Sequence, residues 1–275
     1  SLGDLSNDKS QLTKSINKLQ EGGKTYEKDG AIWLNTEVSG DDKHRVLIRD
    51  NGKATYFATD VAYHKNKVDR GFDKLINVWG ADHHGYIKRI EASIEALGSN
   101  KDKLDVRLVQ FANLFKDGAK VKMSTRKADF ITLDDLIDEL GIDIVRYFFI
   151  MRSMNSHLDF DLDLAKDQSD NNPLFYLQYA YARICSIFRR WPGEREEIVG
   201  SRFLLHHPDE IYLSRKLVDF PSILEESIQS FNPHKICFHL LSIASSFATF
   251  YENCKVLKSD DENSKLRRLS LCDLT

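Results

Sequence analysis

Apolar residues in this chain follow two rhythms, and the change between them falls near residue 131. Residues 12–19 carry leucine and isoleucine at helical spacing and are stopped by Gly22-Gly23, which predicts a short helix. Two hairpins are predicted next. Residues 24–27 and 31–34 flank Lys28-Asp29-Gly30, and residues 45–49 and 54–58 flank Asp50-Asn51-Gly52. Asp-Gly and Asn-Gly supply the positive φ angles that tight turns need. Asp60 reads as the N-cap of a helix over 61–68. The run Leu75-Ile-Asn-Val-Trp-Gly80 reads as a buried strand. A helix bearing Ile87, Ile90, Ile94 and Leu97 follows, stopped at Gly98, and residues 106–111 read as another strand. Strand, helix and strand at this spacing predict a parallel sheet with a crossover helix.

From Thr132 onward the rhythm is helical. Thr132-Leu-Asp-Asp135 is a capping-box pattern, with Leu133, Leu136, Ile137 and Leu140 on one face and Gly141 as the stop. Asp143 opens the next helix, to about Met154. Leu177, Ala180, Ile184, Ile187 and Trp191 form a further stripe, ended by Pro192-Gly193. Residues 193–209 read as a charged linker. Asn232-Pro233 reads as an N-cap and first helical residue, ahead of Ile236, Leu240, Ile243, Phe247, Phe250 and Cys254. The expected class is therefore α/β followed by all-α.

Composition narrows this little. At 275 residues, 41% apolar and 29% charged, the chain reads as globular. No apolar run approaches the ~20 residues that span a bilayer, and the start shows no signal-peptide pattern. Four separated cysteines predict reduced thiols, with Cys185, Cys237 and Cys254 in the core, as suits a cytoplasmic protein. A net charge of −3 argues against wrapping nucleic acid by charge alone, though not against local basic patches.

Three segments carry candidate chemistry. In Gly118–Leu133 a short loop bears Lys120, Lys122, Arg126 and Lys127, with Met123, Ser124 and Thr125 between. Such a loop can bring cations and small donors to a polyphosphate, or be only a solvated charge run. Gly80-Ala-Asp-His-His-Gly-Tyr86 lies at the carboxyl end of a predicted strand, where open α/β sheets bind ligands. Gly80 permits close approach, Asp82 accepts from ribose hydroxyls or an ammonium, and His83 donates; equally, Asp82 caps the helix and a histidine packs. Zinc on His83-His84 is rejected, because adjacent helical residues point apart. Tyr56 stands ready to stack or hydrogen-bond, and Asp60 to bind a cation or to cap. Asp159, Asp161 and Asp163 resemble half a calcium loop, but Leu164 occupies the glycine position, so residues 158–164 are read as an extended, half-buried segment.

Lys122-Met-Ser-Thr-Arg126 resembles the Lys-Met-Ser-Lys-Ser signature of class I aminoacyl-tRNA synthetases. Further blocks make the resemblance one to bacterial-type arginyl-tRNA synthetases: Glu27–Leu34, Gly40–Leu47, Asp60-Val-Ala-Tyr-His64, Arg70-Gly-Phe-Asp73, Val78–Tyr86, Ser156–Ala165 and Gln178–Cys185. Residues 247–256 resemble a helix of the family's anticodon-binding domain. The resemblance implies that residues 1–130 are the second half of a Rossmann-like class I catalytic domain. Residues 131–192 would be a helical stem-contact segment, and 193–275 a helical anticodon-binding domain. It implies arginine–tRNA ligation by way of arginyl-adenylate, in a monomer, with ATP and Mg2+ as substrate, tRNA(Arg) as partner, and neither a prosthetic group nor a membrane.

By the same resemblance, Lys122, Ser124 and Arg126 are catalytic. Gly80, Asp82, His83, Lys122 and Met123 face ATP, Tyr56 and Asp60 hold arginine, and Tyr179, Arg183, Tyr251 and Asn253 touch tRNA. The departures are Thr125 for the signature's second lysine, Lys127-Ala-Asp129 for a small-residue stretch, Tyr181 for a frequent histidine, and the lack of a His-Ile-Gly-His-type motif. That lack, with the short carboxyl end, predicts a fragment inactive alone. Another class I synthetase and a non-catalytic tRNA-binding module are the alternatives.

Overall fold

The computed structural model describes residues 10–37, 40–121, 131–198, 204–259 and 261–275. The chain forms two compact units, Ser1–Phe111 and Ala112–Thr275.

In the first unit, helix α1 (Gln11–Glu21) is capped by the Ser10 hydroxyl, which accepts from the Thr13 N–H. Its Leu12, Ile16 and Leu19 fall on one face and are buried. Strands β1 (Thr25–Lys28) and β2 (Ala31–Leu34) form the first expected hairpin, with Asp29 and Gly30 at φ 54° and 74°. Strand β3 (Arg45–Ile48) completes an antiparallel sheet of order β1-β2-β3. Asp41 takes two N–H groups of Arg45 at 2.7 Å, and this hydrogen bonding holds its carboxyl down at about 2.

The second hairpin is not formed as expected. The turn at 50–53 is present, but only Ala54 bridges back to Ile48, and helix α2 (Tyr56–Asp69) starts at once. Thr55, not Asp60, is the N-cap. Its hydroxyl accepts from the Ala58 N–H and donates to the Val46 carbonyl at 2.8 Å, so it anchors the helix to β3 while capping it. Asp60 is the fifth residue of α2, and its side chain is left for other work.

Strand β4 (Leu75–Gly80), a 3-10 segment (Ala81–Tyr86), helix α3 (Ile87–Ala96) and strand β5 (Leu104–Val109) realise the expected crossover, with β4 and β5 parallel in register Leu75↔Leu104 to Gly80↔Val109. Period-2 alternation turns Leu75, Asn77 and Trp79 to one side of β4. The core joins Leu12, Ile16, Leu19, Leu34, Leu47, Phe57, Val61, Leu75, Ile90, Ile94 and Leu97.

The second unit begins with a hairpin, β6 (Ala112–Lys116) and β7 (Ala119–Lys120), turning at Asp117-Gly118; β6 also pairs in parallel with β8 (Leu158–Asp161). The extended segment expected over 158–164 ends at Asp161, which caps the short α6 (Leu162–Lys166). The three aspartates are engaged there: Asp159 accepts from Asn113, Asp161 from the N–H groups of Asp163 and Leu164, and Asp163 from the Asp117 N–H. The Thr132 capping box opens α4 (Leu133–Leu140), and α5 (Ile142–Ile150) follows from Gly141 at φ 87°. Of the expected α4 face, Leu136 and Leu140 are buried and Leu133 is exposed.

Helix α7 (Pro173–Arg190) is capped by Asn172. The expected linker holds a 3-10 turn (Arg195–Glu197) and a buried Ile198. Helices α8 (Pro208–Ser230), with Pro221 in its interior, and α10 (Glu262–Leu274) lie outside the sequence expectation, as does the short α6. Between α8 and α9 (His234–Asn253), Phe231 adopts φ 54° while Phe231 and Asn232 donate back to Ile228 and Ser227. Pro233, not Asn232, occupies the α9 cap position. Cys237, Cys254 and Cys272 are buried, whereas Cys185 is half-buried; all four thiols are free.

Candidate active site

Helix α2 presents Tyr56, Asp60, Tyr63 and His64 at helical spacing, so they share one face. With Asn77 and Trp79 of β4, and His83 and Tyr86 of the 3-10 segment, they line a cavity of about 370 Å³, large enough for an amino acid. Three residues expected from sequence, Tyr56, Asp60 and His83, therefore meet. Tyr56 is 89% exposed at the mouth. Gly80 and Asp82 sit next door at the end of β4, where a Cβ on Gly80 would lie 2.5 Å from Asp82 Oδ1.

The walls are aromatic. Tyr86 meets Phe57, Trp79 and His83 at ring-centroid distances of 6.3, 5.9 and 6.5 Å, each in edge geometry, and the Arg89 guanidinium lies 4.5 Å from its ring centre. At the base, the Tyr86 hydroxyl donates to Asp60 Oδ2 at 2.8 Å. Burial, with the Asp60 carboxylate next, pushes the Tyr86 phenol well above its ordinary range, so it stays protonated. One carboxylate inside aromatic faces is suited to an organic cation: the carboxylate supplies charge and acceptors, and the rings supply attractive faces.

A second network fixes the wall behind Asp60. His64 Nδ1 lies 2.8 Å from the Asp60 carbonyl, which can only accept, so Nδ1 carries the proton. His64 Nε2 then accepts from Asn77 Nδ2 at 2.8 Å, and Asn77 Oδ1 accepts from the Lys67 ammonium at 2.5 Å. Burial lowers the His64 pKa, in accord with a neutral ring. His64, Asn77, Tyr63, Trp79 and Tyr86 were not singled out in the sequence reading. The i+3 and i+4 steps from Asp60 point to Tyr63 and His64, and alternation along β4 points to Asn77 and Trp79.

Lys122, Met123, Ser124 and Arg126 lie outside the described residues. Among the described residues, no group of three His, Cys, Asp or Glu side chains is placed to hold a metal ion, and no helix is long and apolar enough to cross a membrane.

In the second unit, three of the four residues expected at tRNA meet. Arg183 lies over the rings of Tyr179 and Tyr251, at 4.4 and 5.3 Å, and donates to the Tyr179 hydroxyl at 3.0 Å; Phe175 stacks on Tyr179 at 6.4 Å. The fourth, Asn253, is tied to Asp209 at 2.8 Å. Tyr251 also lines a cup of about 310 Å³ with Arg190, Lys255 and Lys258, whose side chains are exposed. The cup is braced from beneath. Glu210, fully buried, accepts from Arg267 and Arg268, and Arg268 donates to the Lys255 carbonyl and the Ser259 hydroxyl.

Comparison with known proteins places both units. A family model described as tRNA synthetases class I (R), catalytic domain, matches residues 3–147, and the DALR anticodon binding domain matches residues 177–275. A protein of Vesicomyosocius okutanii named arginine–tRNA ligase is 49% identical over 253 residues, covering 91% of this chain and 44% of that protein. One of Nitrosomonas eutropha with the same name is 46% identical over 266 residues, 96% of this chain and 45% of that protein. The chain thus spans about half the length of the curated relatives it matches. A Campylobacter jejuni structure described as an arginyl-tRNA synthetase superposes with a TM-score of 0.88 at 36% identity, over 96% of this chain and 58% of that one. The Thermus thermophilus arginyl-tRNA synthetase shares the fold, with a TM-score of 0.81 at 20% identity, over 96% of this chain and 55% of that one. A class I catalytic domain followed by a helical anticodon-binding domain is the architecture common to these findings, and with more than half of its residues inside the catalytic family model, this chain belongs to the arginine-type class I tRNA synthetases.

Proposed function

We propose that the full-length gene product is an arginine–tRNA ligase. It would join arginine to ATP, giving arginyl-adenylate and pyrophosphate, and then move the arginyl group to a hydroxyl of the terminal ribose of tRNA(Arg), releasing AMP. The observation that carries this reading is Asp60, set at the base of an aromatic cavity on the catalytic unit of a class I chain. A cationic amino acid needs such an anionic pocket, and a carboxylate matches the forked donors of a guanidinium. Tyr56 would close over the side chain from the mouth.

In the first step, the arginine carboxylate attacks the α-phosphate and negative charge builds on the phosphoryl oxygens and the departing pyrophosphate. Fixed cations and donors that meet this charge lower the barrier. Lys122 would serve there with Ser124, Arg126 and the backbone at Met123, while Gly80, Asp82 and His83 face the adenosine; Mg2+ arrives with ATP as substrate. Residues 1–130 would do this chemistry, 131–192 contact the tRNA stem and 193–275 the anticodon. The Tyr179–Arg183–Tyr251 stack offers faces for unpaired bases, and the cup of Arg190, Lys255 and Lys258 offers charge for the phosphates between them. We place the enzyme in the cytoplasm, as a monomer.

The test is aminoacylation by the full-length gene product with each of the twenty amino acids. Arginine alone should charge tRNA; charging with another amino acid, or with none, overturns the reading.

A further inference from the structure

We propose that Tyr86 is a positioning residue that makes the cavity select a forked guanidinium over a compact ammonium, by holding the Asp60 carboxylate in one rotation. The inference rests on Asp60 being the arginine ligand, and goes beyond it in assigning the source of selectivity to a second side chain.

The torsion that turns a carboxylate about its Cβ–Cγ bond is soft and broad. Asp60 is half-buried in mid-helix, and its carboxylate does not cap α2, since Thr55 does so. Among the described residues the Tyr86 hydroxyl is the only donor to that carboxylate, and it reaches Oδ2 alone. The hydroxyl is itself fixed. Phe57, Trp79 and His83 meet its ring edge-on and the Arg89 guanidinium covers a face, so the ring cannot swing without losing four contacts. Asp60 is thus held at one oxygen by a rigid donor, and Oδ1 carries no partner among the described residues.

The two kinds of cation respond differently to this arrangement. A guanidinium gives two parallel N–H groups and gains its full interaction only when both carboxylate oxygens lie in its plane. An ammonium is a point charge with rotatable donors and binds a turning carboxylate nearly as well as a fixed one. Fixing the plane therefore favours the fork and leaves the point charge almost indifferent. In sequence Tyr86 reads only as the last residue of the strand-end heptapeptide; its contact with Asp60, 26 residues earlier, arises from the packing of the 3-10 segment against α2.

The experiment uses the full-length gene product and Tyr86→Phe, which keeps the ring and removes only the hydroxyl. Steady-state ATP–pyrophosphate exchange in the presence of tRNA gives KM for arginine and ATP. Inhibition by agmatine and cadaverine compares a guanidinium with an ammonium. Loss of one hydrogen bond to a charged group should raise the arginine KM and the agmatine inhibition constant about tenfold. Cadaverine inhibition and the ATP KM should change less than about twofold, so the agmatine preference narrows about tenfold. Equal weakening of both amines, an ATP KM rising in step with the arginine KM, or no change in the arginine KM overturns the proposal. Asp60→Asn separates the two levels. If it leaves the arginine KM unchanged, the ligand assignment of Asp60 falls; if it raises the arginine KM while Tyr86→Phe does not, only the role of Tyr86 falls.

Discussion

Replacing Asp60 with asparagine is the sharpest perturbation of the cavity, because the structure removes the competing explanation in advance. Thr55 caps α2, so the change leaves the cap of that helix intact. Asp60 is half-buried, and Oδ1, with the remaining lone pair on Oδ2, is left for the substrate. Two charge-assisted hydrogen bonds to a guanidinium are worth about 1.5–3 kcal/mol each, and partial exposure argues for the lower end, roughly 3 kcal/mol together. Asparagine keeps one neutral acceptor, worth about 1 kcal/mol, and turns an NH2 group toward the guanidinium donors. The net loss is about 2–3 kcal/mol, or roughly 30- to 150-fold in arginine affinity. ATP, which the proposed function assigns to Gly80, Asp82, His83 and Lys122 rather than to Asp60, should change by less than about threefold. Exchange kinetics of the full-length protein, with arginine and ATP varied in turn and tRNA present, read both numbers. An arginine KM that does not move, or one that rises together with the ATP KM, would refute the reasoning.

Three other perturbations probe separate parts of the chain. Lys122→Ala should slow adenylate formation by about 10²–10³ in single-turnover experiments, as for loss of one transition-state donor; an unchanged rate removes Lys122 from the mechanism. Glu210→Ala leaves Arg267 and Arg268 facing an empty site in the core, and should lower stability by about 3–5 kcal/mol; an unshifted thermal transition by circular dichroism would contradict that. His64, depressed below its ordinary 6.5 by burial, binds a proton less readily folded than unfolded. Its contribution to stability is therefore complete above pH 6.5 and is lost as pH falls through the folded-state value. NMR titration should give an imidazole midpoint below 6.5, and a midpoint at or above 6.5 counts against the buried network.

Local signals were readable in the sequence, and so was a pairing between elements that follow one another. Asp29-Gly30 and the Thr132 capping box depend on residues within a turn or two, the β4–α3–β5 crossover on strand, helix and strand in direct succession, and each formed as expected. Thr55 and Asp60 are both good N-cap residues. The choice between them was made by the β3 carbonyls that receive the Thr55 hydroxyl, which no local pattern reveals. Helix α8, with Pro221 in its interior, was not among the expected elements, and the pairing of β6 with β8 spans more than forty residues. In the cavity, Tyr56 and Asp60 were both expected at arginine, but on a strand end and at a helix cap; that α2 begins at Tyr56 and sets them on one face was not legible. Nor were the link from Tyr86 to Asp60 and the chain from Lys67 to His64, because β4 and the 3-10 segment reach α2 only through tertiary packing.

The relay from Lys67 through Asn77 and His64 to the Asp60 carbonyl has a fixed polarity. One end can only give a proton and the other can only receive one, so the amide and the ring between them have a single satisfied orientation. Flipping either would set donor against donor or acceptor against acceptor inside the wall. Replacing Asn77 or His64 alone therefore breaks two links at once, and drift at these two positions should proceed by paired exchanges.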